Sequence, residues 1–205
     1  KALAINVDFL KYAGEAIKKD DKETALYAIN NDRYGFGRPF AQLDSSMKDD
    51  IDVAWAAIKR YGGSYKDLSD RLKKDRALAL AAVKWGAFMW KHLDPSLKDD
   101  PGFIREAAAL NPEVIEHMDE KLRQDKAIVL IASTHSKNAE KLIKGSLKKD
   151  KDVVLAAIEK SDGALPLLLD ESFQGDEEFI RSAVRRNGGA LRYAQAKFVK
   201  DKEIV

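Results

Sequence analysis

Three histidines, His92, His117 and His135, are the side chains of this sequence best suited to ligate a metal or to move a proton near neutral pH. His92 and His117 stand about 25 residues apart, the scale of a short tandem repeat, with Asp67 as far again before His92. Imidazole and carboxylate together form a competent donor set for a divalent cation. They ligate one ion only if equivalent positions converge, and on neighbouring packed helices such positions lie about 8–10 Å apart. The expectation is ordinary surface or half-buried histidines, with no metal and no cofactor.

Other reactive constellations fail on spacing. The run Asp170-Glu171-Ser172-Phe173-Gln174-Gly175 begins like a calcium loop, but the twelfth position, which needs a bidentate glutamate, is Arg181. There is no glycine loop ending in Gly-Lys-Ser/Thr, no His-Glu-x-x-His, and no recognisable nucleophile system of serine, histidine and acid. The chain contains no cysteine, which removes disulfides, thiolate catalysis and thiolate metal ligands. An enzyme is not expected in this segment. Basic residues recur at Lys18-Lys19, Lys48, Lys73-Lys74, Lys98, Arg123, Lys148-Lys149 and Lys200, and a row of them could follow a phosphate backbone. Each also falls at the end of a short helical pattern, where the dipole favours a cation, and close to an Asp that offsets its charge. A nucleic-acid partner is therefore not expected.

These residues sit in a repeating frame. An Asp followed by a helix-forming apolar stretch recurs at Asp21, Asp50, Asp75, Asp100, Asp125, Asp150, Asp176 and Asp201, at successive intervals of 29, 25, 25, 25, 25, 26 and 25. Each anchor Asp is placed to cap a helix, accepting from free N–H groups of the first turn. Apolar residues three, four, seven and eight positions later share one helical face: Val53, Ala54, Ala57 and Ile58, or Leu78, Ala79, Ala82 and Val83. The seventh position is Ala in all complete copies, Ala28, Ala57, Ala82, Ala107, Ala132, Ala157 and Ala183, which lets neighbouring helices approach closely. Turn signals come next, such as Gly62-Gly63, Gly86, Asn111-Pro112 and Gly188-Gly189. A second, shorter helix is then predicted from apolar residues 15, 18 and 22 positions after the anchor: Tyr65, Leu68 and Leu72, or Trp90, Leu93 and Leu97. The copy after Asp125 departs from this pattern, with Glu140 in the first slot.

The pattern predicts an all-α protein, an α-solenoid of tandem two-helix repeats with a period of about 25 residues. It covers residues 1–205 as a single array, with repeats starting near 21, 50, 75, 100, 125, 150 and 176 and partial repeats at both ends. Because the chain starts on Lys1 and stops inside a repeat, it is expected to be a segment of a longer protein. Alternating β patterning is absent, so essentially no sheet is expected.

The copies DKDVVLAAIEKSDGAL and DEEFIRSAVRRNGGALRYA, with the closing DKEIV, resemble the tandem-repeat family known as domain of unknown function family 4116. The resemblance is closest over residues 150–205 and loosens where Tyr34-Gly35-Phe36-Gly37 interrupts the pattern. It implies short stacked helices and, by analogy with other helical repeats, an interaction role; it implies no substrate, cofactor or catalytic residue. Such repeats are similar to those found in protists and in bacteria that live inside them, including large secreted effectors.

Two places have the composition of a binding surface. Tyr34, Phe36, Arg38 and Pro39 fall in the four-residue insertion between Asp21 and Asp50, and insertions in repeat arrays map to exposed loops. Mixed aromatic and arginine residues are the usual anchors of protein interfaces. Trp85, in a turn, is the second candidate, whereas Trp90 occupies a core column. The partner-binding candidates are thus Tyr34, Phe36, Arg38 and Trp85.

Composition agrees with this reading. Apolar residues make up 45% and charged residues 34%, and 36 basic against 34 acidic residues leave a net charge of +2, so no polyanionic partner is demanded. No run approaches the roughly 18 apolar residues of a membrane helix, and no signal-peptide pattern opens the segment, so neither membrane insertion nor a particular compartment is expected. The expected function is a protein–protein interaction scaffold without catalytic activity. The alternatives are a structural spacer, or an accessory domain of a larger enzyme or of a secreted bacterial effector.

Overall fold

The recurring aspartates begin helices because their carboxylates replace the acceptors that the first-turn N–H groups lack. Asp50 accepts from the N–H of Asp52 (2.9 Å) and Val53 (3.1 Å), and Asp75 from Leu78 (2.9 Å). Asp100 accepts from Gly102 and Phe103, Asp125 from Ala127 and Ile128, Asp150 from Asp152 and Val153, and Asp176 from Phe179. The computed structural model describes residues 22–32, 35–160 and 170–193. Among these every regular element is helical and there is no strand. The long helices are α1 (Lys22–Asn30), α2 (Ile51–Arg60), α3 (Arg76–Trp85), α4 (Pro101–Leu110), α5 (Lys126–His135), α6 (Lys151–Lys160) and α7 (Glu177–Arg186).

The stretch after each of α2, α3, α4 and α5 is not one second helix. After α2, α3 and α4 comes a 3-10 segment (Gly62–Asp67, Ala87–His92, Pro112–His117), then a separate single α-turn (Asp70–Lys73, Pro95–Lys98, Glu120–Arg123). Between them Leu68, Leu93 and Met118 are extended, with ψ of 157°, 148° and 164°. The break arises because the next residue is itself a cap. The side chain of Ser69 accepts from Leu72 N–H, Asp94 from Ser96 and Asp119 from Leu122. The apolar spacing of 15, 18 and 22 matched one short helix, but the cap at 19 starts a new one. In the copy after Asp125 the nineteenth position is Lys144, which cannot cap. The single turn there moves forward to Ala139–Leu142 and the 3-10 segment comes after it as Gly145–Lys149.

The chain divides into two compact units, Lys1–Ile104 and Arg105–Val205. In the first, α1 packs on α2 and α2 on α3, burying Ala28, Ala57 and Ala82 together with Val53, Ala54, Leu78 and Ala79. Tyr65 and Trp90 from the 3-10 segments close this core; Tyr65 is fully buried, and its hydroxyl donates to Lys73 O at 2.5 Å. In the second, α5 packs on α6 and α6 on α7, burying Ala132, Ala157 and Ala183. Phe173 and Phe179 stack at 4.3 Å between ring centroids, within a cluster that includes Val154, Ile158 and Ile180. Ala107 of α4 is likewise buried. The described alanines of the seventh column are all inaccessible, as close helix packing requires.

Candidate docking surface

With three, four, seven and eight residues after each anchor turned inward, positions five and six lie at the edge of the outward face. In the first unit these are apolar on three successive helices: Leu26 and Tyr27, Trp55 and Ala56, Leu80 and Ala81, all half-buried except the exposed Tyr27. A shallow groove of about 530 Å³ runs beside Trp55, lined by Asn30 of α1 and by Asp52, Ala56, Lys59 and Arg60 of α2. The Lys59 ammonium sits 6.0 Å from the Trp55 ring centroid. Leu130, Ile131 and Leu155 hold corresponding half-buried places in the second unit.

At the C-terminal ends of α2 and α3 the surface becomes an aromatic ledge. Tyr61 and Trp85 meet edge to face with centroids 4.7 Å apart, and Trp85 meets Phe88 the same way at 5.5 Å. Trp85 is 43% and Phe88 47% exposed. The ledge is built on a glycine: a Cβ at Gly62 would overlap the Cβ and ring carbons of Trp85, so the indole lies directly on the backbone. The insertion reaches this ledge as well. Gly37 has φ +67°, a conformation costly for other residues, and its α-carbon lies against Tyr61 and Ser64. Its N–H donates to the buried Asp32 carboxylate at 3.0 Å, and Arg60 donates to the Asp32 carbonyl.

Of the four residues expected from sequence to bind a partner, Phe36 is 61% exposed and Arg38 is exposed at the start of the turn Arg38–Ala41. Trp85 stands in the ledge, and Tyr34 lies outside the described residues. Sequence reasoning missed Tyr61, which joins the Gly37 loop to Trp85; its signal was an aromatic residue at a helix end beside Gly62-Gly63. Pro39 is buried. Phe36 does not fold back onto the helices.

His92 and His135 are exposed and His117 is half-buried, and no group of three or more potential metal ligands occurs among the described residues. Asp170, the start of the calcium-like run, caps the turn Glu171–Gln174 by accepting from Ser172 N–H at 3.1 Å. In the basic row, Lys48 and Lys98 donate to the carbonyls of Ala41 and Lys91, while Arg123 pairs with Glu120 and Lys149 with Asp170.

A second column escaped the sequence reading altogether. The cation immediately after one anchor pairs with the capping Asp of the next long helix: Lys22 with Asp50 (2.9 Å), Arg76 with Asp100 (3.1 Å), Lys126 with Asp150 (2.9 Å) and Lys151 with Asp176 (2.5 Å). Lys22 and Lys126 also reach Asp52 and Asp152. Partial burial pushes the Asp50 and Asp150 carboxyls up, but hydrogen bonds from the lysines and first-turn amides outweigh it and hold both below the usual carboxylate range. The Asp100 carboxyl is held down first by the Phe103 and Gly102 amides, and that of Asp176 first by Lys151. The signal was legible in the first column, Lys22, Arg76, Lys126 and Lys151, once its partner was known.

No helix among the described residues is long and apolar enough to cross a membrane. No curated protein matches this sequence, and no solved structure matches it either. One family model does, over residues 50–98, which span α2, the ledge and the turn Pro95–Lys98. The surface with Trp55, Tyr61, Trp85 and Phe88 thus lies within the segment that matches the model of the family described as Domain of unknown function (DUF4116).

Proposed function

We propose that this chain is a non-catalytic protein-interaction scaffold, in which repeats of about 25 residues stack as in an α-solenoid and hold a partner segment on the outward face of the long helices. The observation that carries the reading is the run of apolar residues left partly or fully exposed on consecutive helices, Leu26 and Tyr27, Trp55 and Ala56, Leu80 and Ala81, of which Trp55 and Ala56 line a groove. A spacer needs only a polar outer face, whereas a tryptophan at a groove edge and an exposed tyrosine are of the types that dominate binding energies. Stacked repeats present such residues in register, because each unit contacts only its neighbours.

Peptide display against the whole chain tests this. An enriched peptide whose binding falls at least about tenfold in Trp55→Ser or Trp85→Ser, with the far-ultraviolet circular dichroism unchanged, is the expected result. Failure to enrich any peptide, with the protein folded and monodisperse, would favour the spacer.

A further inference from the structure

The segments 53–66 and 76–93, which supply most of α2 and of its 3-10 segment and all of α3 and its 3-10 segment, contain no Asp or Glu, although Asp52 and Asp67 flank the first. They contain Lys59, Arg60, Lys66, Arg76, Lys84 and Lys91. In a chain with nearly equal numbers of acids and bases this is a local excess of positive charge, on the same elements that carry the half-buried Tyr61 and the exposed Trp85 and Phe88. The corresponding stretch after Asp100 carries Glu106, Glu113 and Glu116 instead. Lys59, Lys66, Lys84 and Lys91 are exposed. Arg76 is held by Asp100, and Arg60 by the Asp32 carbonyl. The exposed lysines thus share their elements with the exposed Trp85 and Phe88 rings, and Lys84 directly precedes Trp85.

We infer that this ledge is the docking site for an acidic peptide segment carrying one apolar side chain, proline or leucine, which seats against Trp85 and Phe88 while its carboxylates face Lys84 and its neighbours. The inference rests on the scaffold reading and adds the partner's chemistry and the place where it binds. Charge complementarity selects the acid, since exposed cations attract carboxylates over about a Debye length, near 8 Å at physiological salt. Ring geometry selects a peptide over single-stranded nucleic acid. Base stacking needs open ring faces, but Trp85 lies on Gly62 and has edge-to-face neighbours at 4.7 and 5.5 Å. Perpendicular rings instead form walls that grip an aliphatic side chain.

Fluorescence anisotropy with the whole chain tests the inference, using four labelled probes. They are a pool of twelve-residue glutamate-rich peptides with a central proline or leucine, the same pool with lysine for glutamate, the glutamate pool with serine for the apolar residue, and a deoxythymidine dodecamer. The glutamate-apolar pool should bind at least about tenfold tighter than the other three. Trp85→Ser and Phe88→Ser should each weaken it about tenfold. Lys84→Glu, a surface change that leaves packing intact, should weaken it severalfold, by a factor that shrinks with added salt. Equal or tighter binding of the lysine pool or the oligonucleotide overturns the inference. Unchanged binding in both Trp85→Ser and Lys84→Glu does so too. If display-selected peptides lose affinity in Trp55→Ser but not in Trp85→Ser, the ledge is wrong while the scaffold reading stands.

Discussion

The Lys126 ammonium lies 2.9 Å from Oδ2 of Asp150, while Oδ1 of the same carboxylate accepts from the amides of Asp152 and Val153. One oxygen caps helix α6 and the other ties it to the first residue of α5. The same division of labour recurs at Asp50, Asp100 and Asp176. Loss of the lysine should remove only the tie, and loss of the aspartate should remove both tie and cap. Asp150→Ala is therefore expected to destabilise by roughly 0.5–2 kcal/mol through the cap alone, and more than Lys126→Ala. The Lys126→Ala loss should fade in high salt, because exposed ion pairs are screened. Urea melts at low and high salt measure both, and equal losses in the two variants would contradict the assignment.

The same carboxylates predict a pH dependence. Asp50, Asp100, Asp150 and Asp176 are held below the ordinary carboxylate value, so the folded state binds fewer protons there than the unfolded one. Their contribution is fully present above about pH 4 and is lost as pH falls through the depressed values. Lys22, Lys126 and Lys151 are raised, chiefly by hydrogen bonds to Asp52, Asp152 and Asp176. Their contribution is present below the ordinary lysine value, 10.5, and is lost as pH rises through the raised ones. Melting temperatures across pH should show a plateau at neutrality with a fall at each end. A fall centred on pH 6 to 7 would instead implicate histidine.

Ala132 is fully buried where α5 packs along α6. Replacing it by leucine should overpack that contact and destabilise by roughly 1–3 kcal/mol. Lys126 is exposed but ion-paired, so it is a poor control. The exposed Ala127 is a better one, and Ala127→Leu should change stability by less than about 0.5 kcal/mol. Denaturant melts of the two variants decide the assignment of faces.

Gly62→Ala should push Trp85 off the backbone on which it rests, destabilising by roughly 1–3 kcal/mol. Because the indole would also lose its place between Tyr61 and Phe88, tryptophan fluorescence should shift in the same variant. Trp85→Gly in the Gly62→Ala background should recover part of the loss, since it removes both the Cβ and the ring carbons that overlap. No recovery would mean that the glycine is required for another reason.

The positions and ends of the long helices, and which of their residues are buried, were legible in the order of the amino acids. Aspartate caps, helical spacing and turn glycines act within one or two turns of chain, and those local rules held at Asp50, Ala57 and Gly62 alike. Phe36 and Trp85 were placed at the surface for the same reason, since both fall beyond or at a helix end. Two things depended on the packed molecule. The break between each 3-10 segment and the next turn comes from the caps at Ser69, Asp94 and Asp119, whose effect competes with an apolar pattern that fits one continuous helix. The partners of Lys22, Arg76, Lys126 and Lys151, and the meeting of Tyr61 with Trp85, join residues more than twenty positions apart. Such pairings are set by how closely one helix lies on the next, a distance fixed by buried alanines at a separate column, and local spacing holds no record of it.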